Sequence, residues 1–333
     1  MLKSAPKPKI ILDTDPGGDD SFAFLWLISL VKQNLAELVA VTSVDGNVQA
    51  QLTFTGSCKL LTLCGFNQIE VGRGVMGGSK TDDVNDAGAI HGSDGMGNLS
   101  QTLPEANQIY ESARYSDDLL IEKLKDLPGE ITIIAIGPLT NLAAAERKSP
   151  GVLNLAKEIV IMGGAFQVPG NTTPEAEFNI AYDPAAAKLV FSCAKQIVVL
   201  PLDVTRNLIF TPEMAQSVAA VDPENSIGQF IISLCQFMVG TALAFRETNG
   251  ISGFLVHDAA TLAYLFYPEV LLFRRAQVWI ETQGEWTCGK TLFDNRNKTK
   301  VGCNAWVAME VDSINLLAAL IEDLKLLLSQ TAR

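Results

Sequence analysis

The sequence is poor in histidine, with two, and in basic side chains, with 25 Lys and Arg against 37 Asp and Glu, for a formal net charge of -12. A surface of that sign repels polyphosphate, so no nucleic-acid partner is expected, whereas cations are favoured. No C-x-x-C pair is present. Cys58, Cys64, Cys193, Cys235, Cys288 and Cys303 stand apart, several in apolar runs, as free thiols of a reducing compartment do. A secretory h-region is missing too, because the apolar stretch after the lysine-bearing N-terminus is only Ile10 to Leu12 before Asp13 intervenes. A cytoplasmic location is therefore expected, with residues 1–8 a flexible N-terminus. Repeats, low-complexity tracts and Pro- or Ser-rich linkers are absent, so no domain boundary shows and residues 1–333 read as a single domain. One uncharged stretch, 225–245, is long enough to cross a bilayer. Its Asn225, Ser226, Gln229, Ser233 and Gln236 favour a helix buried in protein, and no membrane partner is expected.

What is present is alternation. Short apolar, β-branched runs recur at 9–13, 38–43, 131–136, 158–162, 196–200 and 305–311. Runs that are apolar on both faces mark buried parallel strands. Between them, Asp183-Pro184, Thr211-Pro212-Glu213 and Asp222-Pro223-Glu224 each set a capping side chain before a proline at the first helical position. The pattern predicts an α/β fold: an open, mainly parallel, Rossmann-like sheet with helices on both faces. Such sheets bind ligands beyond the carboxyl ends of their strands.

The first of those ends carries Asp13-Thr14-Asp15-Pro16-Gly17-Gly18-Asp19-Asp20. Four carboxylates within eight residues repel one another and need an offsetting charge. Pro16 and the glycines turn the chain, and Asp19 and Asp20 suit the positive end of the helix that follows. Capping accounts for one of these two, but not for Asp13 and Asp15 facing the same crevice. The donor set points to a hard cation, Ca²⁺ or Mg²⁺.

This D-x-D-P-G-x-D-D turn resembles the signature of the nucleoside hydrolases of the inosine-uridine preferring type, enzymes that cleave the N-glycosidic bond of nucleosides. The resemblance runs along nearly the whole chain, in the family's order. Its blocks are Val44-Asp45-Gly46-Asn47-Val48, Ile90-His91-Gly92 with Asp94-Gly95, Ile136-Gly137-Pro138-Leu139-Thr140-Asn141 and Ile161-Met162-Gly163-Gly164. Then follow Gly170-Asn171 through Glu177-Phe178-Asn179 to Asp183-Pro184, and His257-Asp258. What the resemblance implies is the nucleoside hydrolase fold and Ca²⁺-dependent hydrolysis of a nucleoside to base and ribose, in nucleoside salvage, by a homodimer or homotetramer.

By the same resemblance the metal ligands are Asp15, Asp20, Asp258 and the main-chain oxygen of Ile136, an aliphatic residue standing where threonine is familiar. Asp15 is the implied general base and His257 the group that assists the leaving base. Asp19 is assigned to the ribose 2′-hydroxyl, Asn47 to the 3′-hydroxyl, Asn179 to the 2′/3′ edge, and Asn171 and Glu177 to the 5′-hydroxyl. His91 adds a base contact, Met162 and Phe178 line the pocket, and Asp13 supports the cluster from behind. Asp45 departs from the small residue expected beside Asn47. Residues 81–98, rich in Gly and Asp, read as a mobile loop over the site. Turn chemistry is a plainer account of Asn171, which follows Gly170, but a weak one of Glu177, which precedes apolar residues. A carboxylate at the 5′-hydroxyl repels a 5′-phosphate, so nucleosides rather than nucleotides are the expected substrates.

The reaction asks for these residue types. Breaking a ribosyl C–N bond passes through a cation-like state and needs an activated water. Two other readings fit parts of the turn. One is a Mg²⁺-dependent phosphohydrolase of the haloacid-dehalogenase type, with Asp13 as nucleophile and Asp15 as acid/base, although Gly17 stands where that family usually has Thr or Val. The other is a non-catalytic, Ca²⁺-stabilised nucleoside-binding protein.

Overall fold

Ile10 and Leu12 point into one apolar core and Ile11 into a second, on opposite faces of a central sheet. Alternation within one apolar strand thus serves two cores at once, which is why the run carries no polar face. The computed structural model describes residues 7–75, 87–294, 296 and 302–331. Six of its strands occupy the apolar runs: β1 (Lys9–Thr14), β2 (Glu37–Ser43), β4 (Ile131–Ala135), β5 (Glu158–Met162), β6 (Ile197–Leu200) and β12 (Ala305–Val311). With β3 (Val71–Gly72) and β9 (Leu271–Ala276) they form one eight-stranded sheet in the order β3-β2-β1-β4-β5-β6-β12-β9. All neighbours pair in parallel except β9, which runs antiparallel to β12 at the edge. Two short antiparallel ribbons complete the set, β7 (Ile209–Phe210) with β8 (Phe254–Leu255), and β10 (Val278–Ile280) with β11 (Thr291–Phe293).

Helix Gly18–Lys32 fills the first core with Phe22 and Trp26. Leu119, Leu142 and Val190 fill the second from helices Ser116–Asp126, Thr140–Lys148 and Pro184–Cys193. Asp183 caps Pro184–Cys193, taking the amide of Ala186 at 2.9 Å, and Thr211 caps Pro212–Ala219, as expected. The third expected start differs. The amide of Asn225 closes a turn on the oxygen of Asp222, so the proline falls in that turn, and Asn225 is the cap, accepting from the amide of Ile227 at 3.0 Å. The helix it opens, Ser226–Ala244, is among the described residues the one long and apolar enough to cross a membrane. Half of its apolar window is buried, and Ile227, Ile231 and Leu234 enter the first core.

On one side of β1 lie β2 and β3; on the other lie β4, β5 and β6. The winding therefore reverses between β1 and β4, where the loops leaving the two strands diverge and open a crevice. The aspartate turn leaves β1 at that point, and Ile136 leaves β4 beside it.

Candidate active site

Helix Gly18–Lys32 begins directly after the turn, and Asp20 closes its first turn. Asp20 accepts the amide of Gly17 at 3.1 Å and the hydroxyl of Thr14 at 2.6 Å. Asn47, from the loop after β2, donates its side-chain amide to the main-chain oxygen of Asp15 at 2.9 Å and to Asp20 at 3.1 Å. Its backbone amide donates to Oδ2 of Asp15 at 2.8 Å. Oδ1 of Asp15 is buried without a partner. Two glycines let the chain close on this carboxylate. A Cβ on Gly46 would lie 2.1 Å from Oδ2, and one on Gly137 would lie 2.3 Å from Oδ1.

Asp13 is fully buried behind Asp15. Its Oδ1 accepts from Thr42 at 2.6 Å and Asn141 at 2.8 Å, and burial pushes its carboxyl up to about 7. Neither Asp13 nor Asp15 is among the residues that line the cavity above them.

Asp19, Asp20 and Asp258 converge, one carboxylate oxygen of each lying within 4.8 Å of the others. Asp258 arrives from the far end of the sequence, immediately before helix Ala259–Phe266. Burial raises all of these acids, to about 6 for Asp20 and about 8 for Asp19, and mutual repulsion lifts Asp15 and Asp258 well above the usual carboxylate range. An oxygen-only donor set, buried, self-repelling and bordered by an orphaned carboxylate oxygen, fits a divalent cation. Asp15, expected as a ligand, is not one of the converging three and is 1% exposed.

A cavity of about 380 Å³ stands over the cluster. Asn47, Ile136, Met162, Asn171, Glu177, Phe178 and Asn179 are among the residues that line it. Asn179 donates to the main-chain oxygens of Ile136 at 2.9 Å and Met162 at 3.1 Å. Glu177 does have a turn role, contrary to expectation. It caps helix Phe178–Tyr182, with Oε1 accepting the amide of Asn179 at 2.8 Å and Oε2 those of Gly164 at 2.9 Å and Ile180 at 3.2 Å. Oδ1 of Asn171 takes the amide of Phe178 at 2.9 Å. The unexpected Asp45 accepts the hydroxyl of Tyr182 at 2.6 Å and the amide of Ala50 at 3.1 Å, tying the Asn47 loop to the helix that carries Asn179.

Both histidines reach the cavity. Nδ1 of His91 accepts the amide of Gly18 at 2.9 Å, which places its ring proton on Nε2, and burial lowers its pKa to about 4. Nδ1 of His257 lies 2.7 Å from the hydroxyl of Thr205. Burial, helped by Arg206 and His91, lowers this imidazole to about 3. Of the expected loop 81–98, residues 81–86 lie outside the described residues. Residues 87–98 hold the short helix Gly88–His91 and a turn in which Asp94 accepts the amides of Met96, Asn98 and Ser100, each at 2.8 Å. Ile90, Met238, Phe245, Glu247 and Leu255 also line the cavity. Of these only Ile90 belongs to a motif block; Met238, Phe245, Glu247 and Leu255 lie in the segment before His257, outside every block.

A model of the family described as inosine-uridine preferring nucleoside hydrolase matches residues 10–318. The chain is 34% identical over 322 residues to a probable uridine nucleosidase 1 of Oryza sativa subsp. japonica, covering 94% of this chain and 95% of that one. It is likewise 34% identical to the inosine-uridine preferring nucleoside hydrolase of Crithidia fasciculata, over 91% of this chain and 93% of the relative. A solved plant nucleoside hydrolase superposes with a TM-score of 0.84 at 31% identity, covering 96% of this chain and 99% of the other.

Proposed function

This chain belongs to the inosine-uridine preferring nucleoside hydrolase family and is an N-ribohydrolase acting on nucleosides, and from that premise we propose how its residues divide the work. Asp15, Asp20, Asp258 and the main-chain oxygen of Ile136 would hold Ca²⁺, which would supply Lewis acidity to water and an anchor for the ribose 2′- and 3′-hydroxyls. Asp15 accepts the proton of the attacking water. Asp19 bonds the 2′-hydroxyl, Asn47 the 3′-hydroxyl, and Asn179 the edge between them. Asn171 and Glu177 hold the 5′-hydroxyl, and the Glu177 carboxylate repels a 5′-phosphate. Met162 and Phe178 frame the sugar.

His257 assists the departing base. With its pKa near 3 it is a neutral imidazole at pH 7, so it acts as a hydrogen-bond donor from Nε2 when Thr205 donates to Nδ1. His91, protonated on Nε2, adds a second neutral donor to the base. The six free cysteines and the acidic surface support a cytoplasmic enzyme of nucleoside salvage without nucleic-acid or membrane partners. Exposed Leu272 on β9 and Trp306 on β12, at one end of the sheet, and exposed Trp279 on the β10-β11 ribbon support a homodimer or homotetramer.

The observation that carries the reading is the buried, unpaired Oδ1 of Asp15 together with three converging carboxylates of the same turn and of Asp258. Asp15→Asn tests it. Turnover of nucleosides is expected to fall by about 10²–10⁴-fold, the usual worth of a general base. Turnover within a fewfold of the unaltered enzyme would remove Asp15 from the chemistry.

A further inference from the structure

Of the five acids in the cavity wall, Asp19, Asp20 and Asp258 form the cluster and Glu177 caps a helix, which leaves Glu247 without a task. Among the described residues its side chain makes no hydrogen bond or ion pair. Its backbone, by contrast, is held firmly. Helix Ser226–Ala244 ends with Arg246 in the left-handed region at φ 60°, the amide of Arg246 bonding Leu243 at 3.3 Å and that of Glu247 reaching back to Ala242 at 2.9 Å. This is a Schellman closure, with a glutamate at the position just beyond the left-handed residue. It sets the Glu247 carboxylate in the cavity wall next to Phe245, and both residues are exposed, at the cavity's open end.

The other groups on this part of the wall, Met238, Phe245, Leu255 and Ile90, are apolar, a surface for a planar base rather than for a sugar. If the ribose lies over the acidic floor, as the proposed function has it, the edge of the base farthest from the glycosidic bond reaches the open end. We propose that Glu247 is a specificity-determining residue, selecting a base with two adjacent N–H donors on that distal edge, which is guanine.

A carboxylate only accepts, and its two oxygens match a paired donor edge in the bidentate manner. Guanine offers N1–H beside its 2-amino group. Hypoxanthine keeps N1–H but has no amine, so one carboxylate oxygen is left unpaired. Uracil offers one N–H between two carbonyl oxygens that repel the carboxylate, and cytosine sets its amine beside a ring nitrogen that only accepts.

The experiment compares kcat/KM for guanosine and inosine in the unaltered enzyme and in Glu247→Gln, which keeps the shape and removes the charge. The unaltered enzyme is expected to favour guanosine by roughly tenfold, the worth of one charge-assisted hydrogen bond. Glu247→Gln is expected to lower guanosine cleavage so that the ratio approaches one. A preference for inosine in the unaltered enzyme, or the same ratio in both proteins, would overturn the assignment while leaving nucleoside hydrolysis standing. Cleavage of no nucleoside at all by the unaltered enzyme would overturn the underlying reading and this assignment with it.

Discussion

Gly137 lies so close to Asp15 that a Cβ at residue 137 would stand 2.3 Å from Oδ1, a buried oxygen without a partner. The loop after β4 therefore fits against the aspartate only as glycine. Gly137→Ala must push the carboxylate or the loop aside by the better part of an ångström, and a shift of that size costs about 100-fold in rate. Steady-state kinetics should show that loss in kcat/KM with the circular dichroism spectrum unchanged. An alanine variant of full activity would mean that the position of Asp15 is unimportant.

Stability should depend on pH with a sign set by the acidic cluster. Asp13, Asp19 and Asp20 have folded-state values of about 7, 8 and 6, above the 3.8 of a free aspartate. Between 3.8 and about 8 these carboxyls bind more protons folded than unfolded, so stability falls as pH rises; His91 and His257, lowered to about 4 and about 3, oppose this below 6.5 but are two groups against three. In chelator, Tm is expected to drop steadily from pH 5 to pH 8. Added Ca²⁺ should raise Tm more at pH 8, where the carboxylates are free to bind it, than at pH 5. A Tm in chelator that rises with pH would contradict the buried, uncompensated cluster.

Glu177 has three backbone amides on its carboxylate, which makes it a cap as well as part of the wall. Glu177→Ala is expected to destabilise the protein by about 1–2 kcal/mol, the usual loss for a removed N-cap. Glu177→Gln keeps one acceptor oxygen and should lose less. The test is the midpoint of urea unfolding at constant m-value; equal midpoints for the three proteins would show that the cap carries no stability.

The strands that position the site were legible because each is buried on both faces and reads as an apolar run. Edge strand β9 was not, since Arg274 and Arg275 interrupt it where one side meets solvent, and β3 is only two residues long. Within the site, the motif blocks brought Asp19, Asp20 and Asp258 to the cluster, and Asn47, His91, Asn179 and His257 to the cavity. Three features left no local signal. Glutamate is not among the favoured N-cap residues, so the role of Glu177 was hidden. The turn that presents Glu247 has arginine where a glycine would have marked the helix end. Asp45 and Tyr182 meet across 137 residues of sequence, a distance that no short-range pattern spans.

Every residue role proposed for the site depends on cleavage of nucleosides through a metal held by the aspartate cluster. The most direct measurement is the release of free base and ribose from uridine, inosine, guanosine, cytidine, adenosine and xanthosine, in chelator and after Ca²⁺ is restored. Cleavage is expected to disappear on chelation and to return with Ca²⁺. Cleavage of none of these nucleosides, or cleavage at the same rate in chelator, would contradict it.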